Sequence, residues 1–446
     1  AEAAVHEPLY FRVQSTRPEV GAIVVDVLAC GMGRADAVVG VGARAWAEAP
    51  AVDECVGTWN LLWTWKQPQL NYASLLRFQR VNHFPRGSAR WLFRKDLLSK
   101  ALQRTARAHG GGFDVMPSTY ALPHEYVPFV REFGELEHAL GRARNLWILK
   151  PVGSSRGRGI RVLNDISAVH YSQDVVLQRY VHAPLLLDGR KFDLRVYVLV
   201  TCVRPLEAFV YTEGLARFAS LPYSCDEDSL AQPLVHLTNT AVQRHAPAPC
   251  ATAASDATAG EGATKCSFAR LRERLLAVGI TWEPLWARVC ETIVRSLLAV
   301  HESIEPHACA FELFGYDVLI DAESLRPWLI EVNASPSLER ESGVDCAVKE
   351  RLIADTIALI APPFFDRVVL RRMAEWRLAE LGKGAKAASR LAAPPFEHEL
   401  HALLRGGAAR RVGEMPEQLG LYQRVVPSPF HDRVARAMNR QRVPAG

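Results

Sequence analysis

Two stretches late in the chain, FELFGYDVLI and PWLIEVN, restrict the fold more than any other part. Both are apolar, rich in β-formers and too short for buried helices. A polar turn at 321–326 separates them, so a β-hairpin is expected over 311–320 and 327–332. Asp317 falls late on the first strand. Glu331 and Asn333 lie two apart on the second and share a face. The short turn brings Asp317 near Glu331 across the ladder. Two carboxylates and an amide oxygen form the hard donor set that Mg2+ prefers, with phosphates and water completing its shell. An ordinary polar strand face is the alternative, but carboxylates amid so much apolar side chain are costly to bury without a cation.

A second pattern is GRKFDLRVYVLV. Lys191, Asp193, Arg195 and Tyr197 alternate with Phe192, Leu194, Val196 and Val198. Period two puts the polar four on one face and the apolar four in a core. Lys and Arg on such a face suit phosphate oxygens, and Asp193 can orient a neighbour. A solvated face laced with salt bridges is the alternative. Lys150 precedes PVGSSRGRGI, whose glycines at 153, 157 and 159 let backbone amides approach anionic oxygens, while Arg156 and Arg158 add charge. The run is neither GxxxxGKS nor a strand–GxGxxG–helix fingerprint, so P-loop and Rossmann mechanics do not apply. A flexible turn would look the same. HLTNTAVQ offers His236, Thr238 and Asn239 as compact polar groups, equally suited to a turn or cap.

Around these motifs, strands are expected at 10–13, 22–28 (with the whole of 22–30 read as a buried strand), 146–150, 160–163, 175–180, 192–203 and 206–212. Helices are expected at 94–108, 125–140, 271–278, 285–301, 348–359, 367–381 and 431–439. Residues 245–264 are Ala-, Pro- and Thr-rich without period and read as a disordered insert. Trp59, Trp63 and Trp65 read as a packed surface or core edge.

The ordered motifs KPVGSSRGRGI, VVLQRYV, GRKFDLRVYV, HLTNTAVQ, FELFGYDVLID and PWLIEVNASPSL resemble the tubulin–tyrosine ligase-like family, an ATP-grasp family, over roughly 57–360. The resemblance implies an α+β class and an ATP-grasp fold, with antiparallel-rich sheets flanked by helices. A small N-terminal α/β module at 1–90, ATP-grasp subdomains at 91–185 and 186–365, and a basic helical tail at 366–446 are expected. ATP and Mg2+ are the implied cofactors. Gln178, Arg179, Tyr180 and Val181 match the hinge that reads adenine. Lys150, Arg156, Gly157, Lys191, Asp193, Thr238 and Asn239 match nucleotide contacts. Asp317, Glu331 and Asn333 match the magnesium ligands, and Arg195 the arginine near the transferred phosphate, with Lys150 beside it.

Other features resemble the glutamylating branch. Arg217 in YTEGLARFAS, Lys265 and Ser267 after the insert, and Lys349 after the SPSL turn match contacts to incoming glutamate. The segment reads TKCSF, without the family's tryptophan after the lysine. The implied activity adds free L-glutamate to a glutamate side chain of an acidic tubulin tail through an acyl phosphate, with Arg156 also meeting the protein substrate. Glycylation, another protein amino-acid ligation, or a non-catalytic microtubule-binding protein on the same scaffold are the alternatives.

Charge agrees with an acidic polymeric partner. From Arg367 onward the chain carries 15 Lys and Arg against 7 Asp and Glu, although its net charge is only +5. Nine scattered cysteines without a CxxC pair fit reduced thiols better than a disulfide framework or zinc site. No apolar run approaches the ~20 residues of a membrane span. The opening AEAAVHEPLY lacks a signal-peptide pattern, with a longer natural N-terminus left open. A monomer in the cytoplasm and on the cytoskeleton, with no nucleic acid or membrane partner, is expected; the basal body of a cilium or flagellum is a family-level expectation.

Overall fold

A computed structural model of the protein describes residues 8–15, 17–30, 46–49, 59–152, 158–170, 174–243, 264–360, 375 and 410–442. The N-terminal module comprises β1 (Leu9–Gln14), α1 (Pro18–Cys30), β2 (Trp46–Glu48), β3 (Leu61–Thr64) and β4 (Arg80–Val81), its strands parallel in the order β2-β1-β3-β4. The buried strand expected at 22–30 is instead helix α1. Valine-rich composition favoured a strand, but Pro18 opens a helical turn, and Val24 and Leu28 bury one helical face while Asp26 pairs with Arg340 at 2.5 Å.

Next come α2 (Arg90–Phe93) and α3 (Lys95–His109), followed by β5 (Thr119–Leu122), α4 (Tyr126–Leu140), β6 (Trp147–Pro151), β7 (Arg161–Leu163) and β8 (Val175–Arg179). The last four strands make an antiparallel sheet, β5-β8-β6-β7. Its inner face is aromatic: Phe129 of α4 meets Trp147 of β6 edge-on at 5.1 Å between ring centres.

The third and largest sheet is built on β9 (Leu186–Leu187), β10 (Arg190–Val203) and β11 (Leu206–Phe218). Four-residue helices α5 (Glu227–Leu230), α6 (Pro233–His236) and α7 (Thr240–Gln243) lead towards β12 (Lys265–Ser267), α8 (Phe268–Ala277) and α9 (Trp282–Val300). The hairpin β13 (Glu312–Ile320) and β14 (Pro327–Ala334) and helix α10 (Gly343–Ile360) follow. The sheet runs β12-β11-β10-β13-β14.

Alternation on β10 separates two surfaces. Phe192, Leu194, Val196, Val198 and Val200 enter one core with α8 and α9, while Tyr197 and Leu199 enter a second with α1 and α10. The odd-numbered face thus begins polar, at Lys191, Asp193 and Arg195, and ends apolar. One strand therefore serves both a site and a core.

The segment beyond 366 is more than a basic helical tail. Strand β15 (Tyr422–Val426) adds antiparallel to β11, and α11 (Pro429–Arg442) covers the 431–439 expectation while packing on α3 and α9. Arg410 fastens this return: its guanidinium grips fully buried Glu207 at 2.6 and 2.8 Å. Such a pairing is invisible in a charge count. The helix expected at 367–381 lies outside the described residues except at Glu375, and the insert 245–264 does so except at Thr264. No helix among the described residues is long and apolar enough to cross a membrane.

Candidate active site

Strand register assembles the charged centre. Asp193 of β10 stands opposite Arg217 of β11, Arg195 opposite Asp317 of β13, and Asp317 opposite Glu331 of β14. A register shift follows Asp317, where the pairing passes from Glu331 to Leu329 and skips Ile330. Arg195 donates to both Asp317 oxygens, at 2.6 Å (Oδ1) and 3.2 Å (Oδ2). Arg217 grips Asp193 through Nε at 2.7 Å and Nη2 at 2.6 Å, and its Nη2 also reaches Asp317 Oδ2 at 2.9 Å. Thr238 donates to Asp193 Oδ2 at 2.6 Å. Glu331 pairs with Lys95, the first residue of α3, at 2.8 Å. The Asn333 amide nitrogen lies 3.2 Å from Glu331 and 3.4 Å from Asp317.

These contacts set the charges. Burial alone would raise both carboxyls. Asp317 stays raised, because Glu331 and Asp193 add to the effect that Arg195 and Arg217 oppose. For Glu331, Lys95 and Lys150 outweigh burial and hold it well below the ordinary range. Burial works against the charge on Arg217, yet Asp193 and Asp317 prevail and raise it. Asp317, Glu331 and Asn333 thus gather two carboxylates and one amide, which is chemically suited to a hard divalent cation once the amide oxygen is turned inward. Among the described residues there is no cluster of three or more His, Cys, Asp and Glu suited to a metal.

The antiparallel sheet supplies a second wall. Lys150 on β6 donates to Gln178 at 2.6 Å, and Gln178 donates to Thr119 at 3.0 Å. Burial, reinforced by Lys95, pushes Lys150 down to about 7. Lys191, lowered by burial to about 8, donates to Tyr180 Oη at 2.8 Å. Tyr180 Oη lies 2.9 Å from His236 Nδ1, and His236 Nε2 lies 2.9 Å from the Ser229 carbonyl. A carbonyl only accepts, so Nε2 carries the proton and Nδ1 accepts from Tyr180. Burial keeps this histidine neutral by lowering it to about 4.

Between the walls lie two adjoining cavities. The smaller, about 70 Å³, has apolar lining from Ile148, Ile160, Leu319 and Ile330, and Arg179, Tyr180 and Val181 also line it. The larger, about 370 Å³, is lined by Arg195, Arg217, Lys265 and Lys349 among others. Lys150, Asn239 and Glu331 line both. Lys265 and Lys349 converge on fully buried Asp345, at 3.0 and 2.6 Å. Burial lowers both lysines, with Asp345 partly offsetting it. Ser267 lies on β12 opposite Leu215 but does not line either cavity; its hydroxyl accepts from Arg270 N and caps α8. Arg156 and Gly157 lie outside the described residues, although the adjacent Arg158 lines the larger cavity.

The sequence profile of the Tubulin-tyrosine ligase family matches residues 71–368. The chain belongs to the tubulin-tyrosine ligase family. Within it, the chain is similar to the human protein named "Probable tubulin polyglutamylase TTLL2", 33% identical over 359 residues, which covers 80% of this chain and 56% of that protein. It is 36% identical to human "Tubulin polyglutamylase TTLL5" over 313 residues, 68% of this chain and 23% of the relative. Mouse "Tubulin polyglutamylase TTLL6" is 34% identical over 316 residues, 68% and 36% of the two chains. The chain therefore spans about half or less of the length of these curated relatives.

For this member of the tubulin-tyrosine ligase family, sequence reasoning missed Lys95, Arg17, Trp65 and Asp345 at the cavities. Lys95 follows Arg94 at a helix start and carried no pattern of its own. Its contact with Glu331 depends on how α3 meets β14, which no local spacing reports.

Proposed function

We propose that this protein is an ATP-dependent protein–glutamate ligase acting on the acidic tails of tubulin. The observation that carries the reading is the pair of adjoining cavities. One has the apolar walls a purine needs, the other is rich in cationic groups, and Lys150 and Glu331 stand where they meet. The family and the names of the relatives support the same reading.

A carboxylate does not condense with an amine at neutral pH, because oxide is an impossible leaving group. Transfer of the γ-phosphoryl group to the acceptor side-chain carboxylate gives an acyl phosphate and ADP. The free glutamate amine then attacks the carbonyl carbon, the C–O bond to phosphate breaks, and the amine loses a proton. Little covalent work falls to the protein, so positioning and charge dominate. Backbone groups at Gln178, Arg179, Tyr180 and Val181 would hold adenine, with Thr238 and Asn239 nearby. Lys150 and Lys191, both lowered by burial, would regain full charge against phosphates, assisted by Arg156 and the Gly157 backbone. Arg195 would steady the moving phosphoryl group. Asp193 would orient Arg217 and Thr238. Asp317, Glu331 and Asn333 would hold Mg2+, which when bound neutralises phosphate charge.

Lys265 and Lys349 would take the carboxylates of free L-glutamate, with Arg217 behind them and Ser267 holding the strand–helix junction that presents Lys265. The basic segment beyond 366 would steer the acidic acceptor, an attraction that weakens as salt rises. We read the protein as a monomer of the cytoplasm and cytoskeleton, at the basal body where the cell bears a cilium or flagellum.

The test is incubation of the purified chain with ATP, Mg2+, microtubules and labelled glutamate or glycine. Glutamate is expected in tubulin with matching release of phosphate. Microtubule binding without incorporation of either amino acid would overturn the assignment.

A further inference from the structure

The larger cavity has a wall that the roles above leave unused. Arg17 and Trp65, both from the N-terminal module, line it beside the turn that follows β14. The Arg17 guanidinium stacks over the Trp65 ring at 4.8 Å. The backbone of Arg17 is fixed by Ser15, whose hydroxyl accepts from Arg17 N at 3.0 Å and donates to Arg17 O at 2.7 Å. Trp65 is tied to the catalytic hairpin: its carbonyl accepts from the Ser335 hydroxyl at 3.0 Å, two residues past Asn333. Ser335 itself holds a left-handed backbone, φ 48°, in that turn. The stacked arginine is therefore fixed relative to the centre of the site.

Most cations lining this cavity already have acidic partners. Lys95 holds Glu331, Arg195 holds Asp317, Arg217 holds Asp193, Lys265 holds Glu341 and Lys349 holds Asp345. Lys150 bonds Gln178. Arg17 and Arg158 have no acidic partner among the described residues. Arg158 lines the same cavity two residues before Ile160, which lines both cavities, so it stands near their junction. That leaves Arg17, which lines the larger cavity and not the smaller. A guanidinium stacked on an aromatic face keeps its planar fork free at the edge, a geometry matched to a carboxylate.

We propose that Arg17, stacked on Trp65, is a specificity-determining residue that takes a carboxylate of the acidic acceptor polypeptide next to the side chain being modified. This rests on the ligase reading given above. The N-terminal module then contributes to holding the acceptor chain, while Lys265 and Lys349, lining the same cavity, serve the donor. Selection follows: an acceptor with a neutral residue beside the modified glutamate loses this contact.

The experiment uses the full chain and a fluorescent oligoglutamate peptide, first in direct binding without ATP and then as acceptor. In Arg17→Gln the peptide Kd and acceptor KM rise about tenfold, as expected for loss of one charged hydrogen-bonding contact, while the KM values for ATP and free glutamate stay within twofold. Arg17→Lys, which keeps charge without the fork, falls between. Unchanged ATP KM, together with an unchanged melting temperature, reports an intact fold. Peptide affinity within twofold of the parent would overturn the inference, as would a rise in glutamate KM alone, which would put Arg17 on the donor. If the parent incorporates no amino acid, the ligase reading fails, and direct peptide binding still decides whether Arg17 holds an acidic chain.

Discussion

Replacing Arg217 with Gln is expected to destabilise the protein before any ligand is considered. Arg217 is buried and donates to Asp193 at 2.6 and 2.7 Å while reaching Asp317 at 2.9 Å. Among the described residues, its loss leaves Asp193 with Thr238 as its close side-chain partner and Asp317 with Arg195. Removing one member of a buried ion pair costs about 3–5 kcal/mol. Asp317 keeps a bidentate partner, so the lower end, about 3 kcal/mol, is the expected loss. At about 2.1 cal/mol/K of unfolding entropy per residue, a chain of 446 residues loses roughly 1 °C per kcal/mol, so the melting temperature should fall by about 3 °C.

Thermal melts of Arg217→Gln, Asp193→Asn and the double variant complete a cycle. Because the two side chains share hydrogen bonds, the double variant should be less damaged than the sum of the singles, with a coupling of about 1–3 kcal/mol. A melting temperature within about 1 °C of the parent, or additive single effects within about 0.3 kcal/mol, would refute the reasoning. Arg217 would then be free to serve donor binding alone.

Two other outcomes follow from the site. Burial lowers Lys150 to about 7 and Lys191 to about 8, so above these values the empty site is short of protons that a triphosphate requires. Nucleotide binding should therefore weaken at least about tenfold between pH 6.5 and 8.5 with uptake of a proton, measured by calorimetry in two buffers; a flat profile would contradict it. Gly315 lies under Arg195: an added Cβ would stand 2.9 Å from Pro336 and 3.2 Å from Arg195 Cδ. Gly315→Ala should cost about 1–3 kcal/mol and slow phosphoryl transfer more than it weakens ATP binding, read by melting and single-turnover kinetics; parental turnover would show that Pro336 alone yields.

What could be read in advance was whatever obeys a local period. Asp193 and Arg195 occupy one face of β10 because strands alternate, and Asp317 meets Glu331 because a short turn fixes hairpin register. Helix α1 defeated the same reasoning: its valines favour strands, and only packing against α10 makes the helical face apparent. Strand β15 could not be foreseen either, since its partner β11 lies some two hundred residues earlier and Arg410 finds Glu207 only after folding. Lys95 belongs to the same class, entering the site from the end of a helix. Arg217 meets Asp193 because β11 runs on to Phe218, past the strand expected at 206–212, and it reaches Asp317 only because the distant strand β13 adds to β10, whereas Ser267 followed a local rule, capping α8, that competes with a ligand role.

The most direct test of the central claim is mass spectrometry of tubulin tails after incubation with ATP, Mg2+ and glutamate, comparing the parent with Glu331→Gln. Glu331 stands between the two cavities and pairs with Lys95 at 2.8 Å. The account predicts tails extended by glutamyl residues with the parent and unmodified tails with the variant, at equal microtubule binding. Equal modification by both proteins, or by neither, would contradict a ligation chamber centred on Glu331.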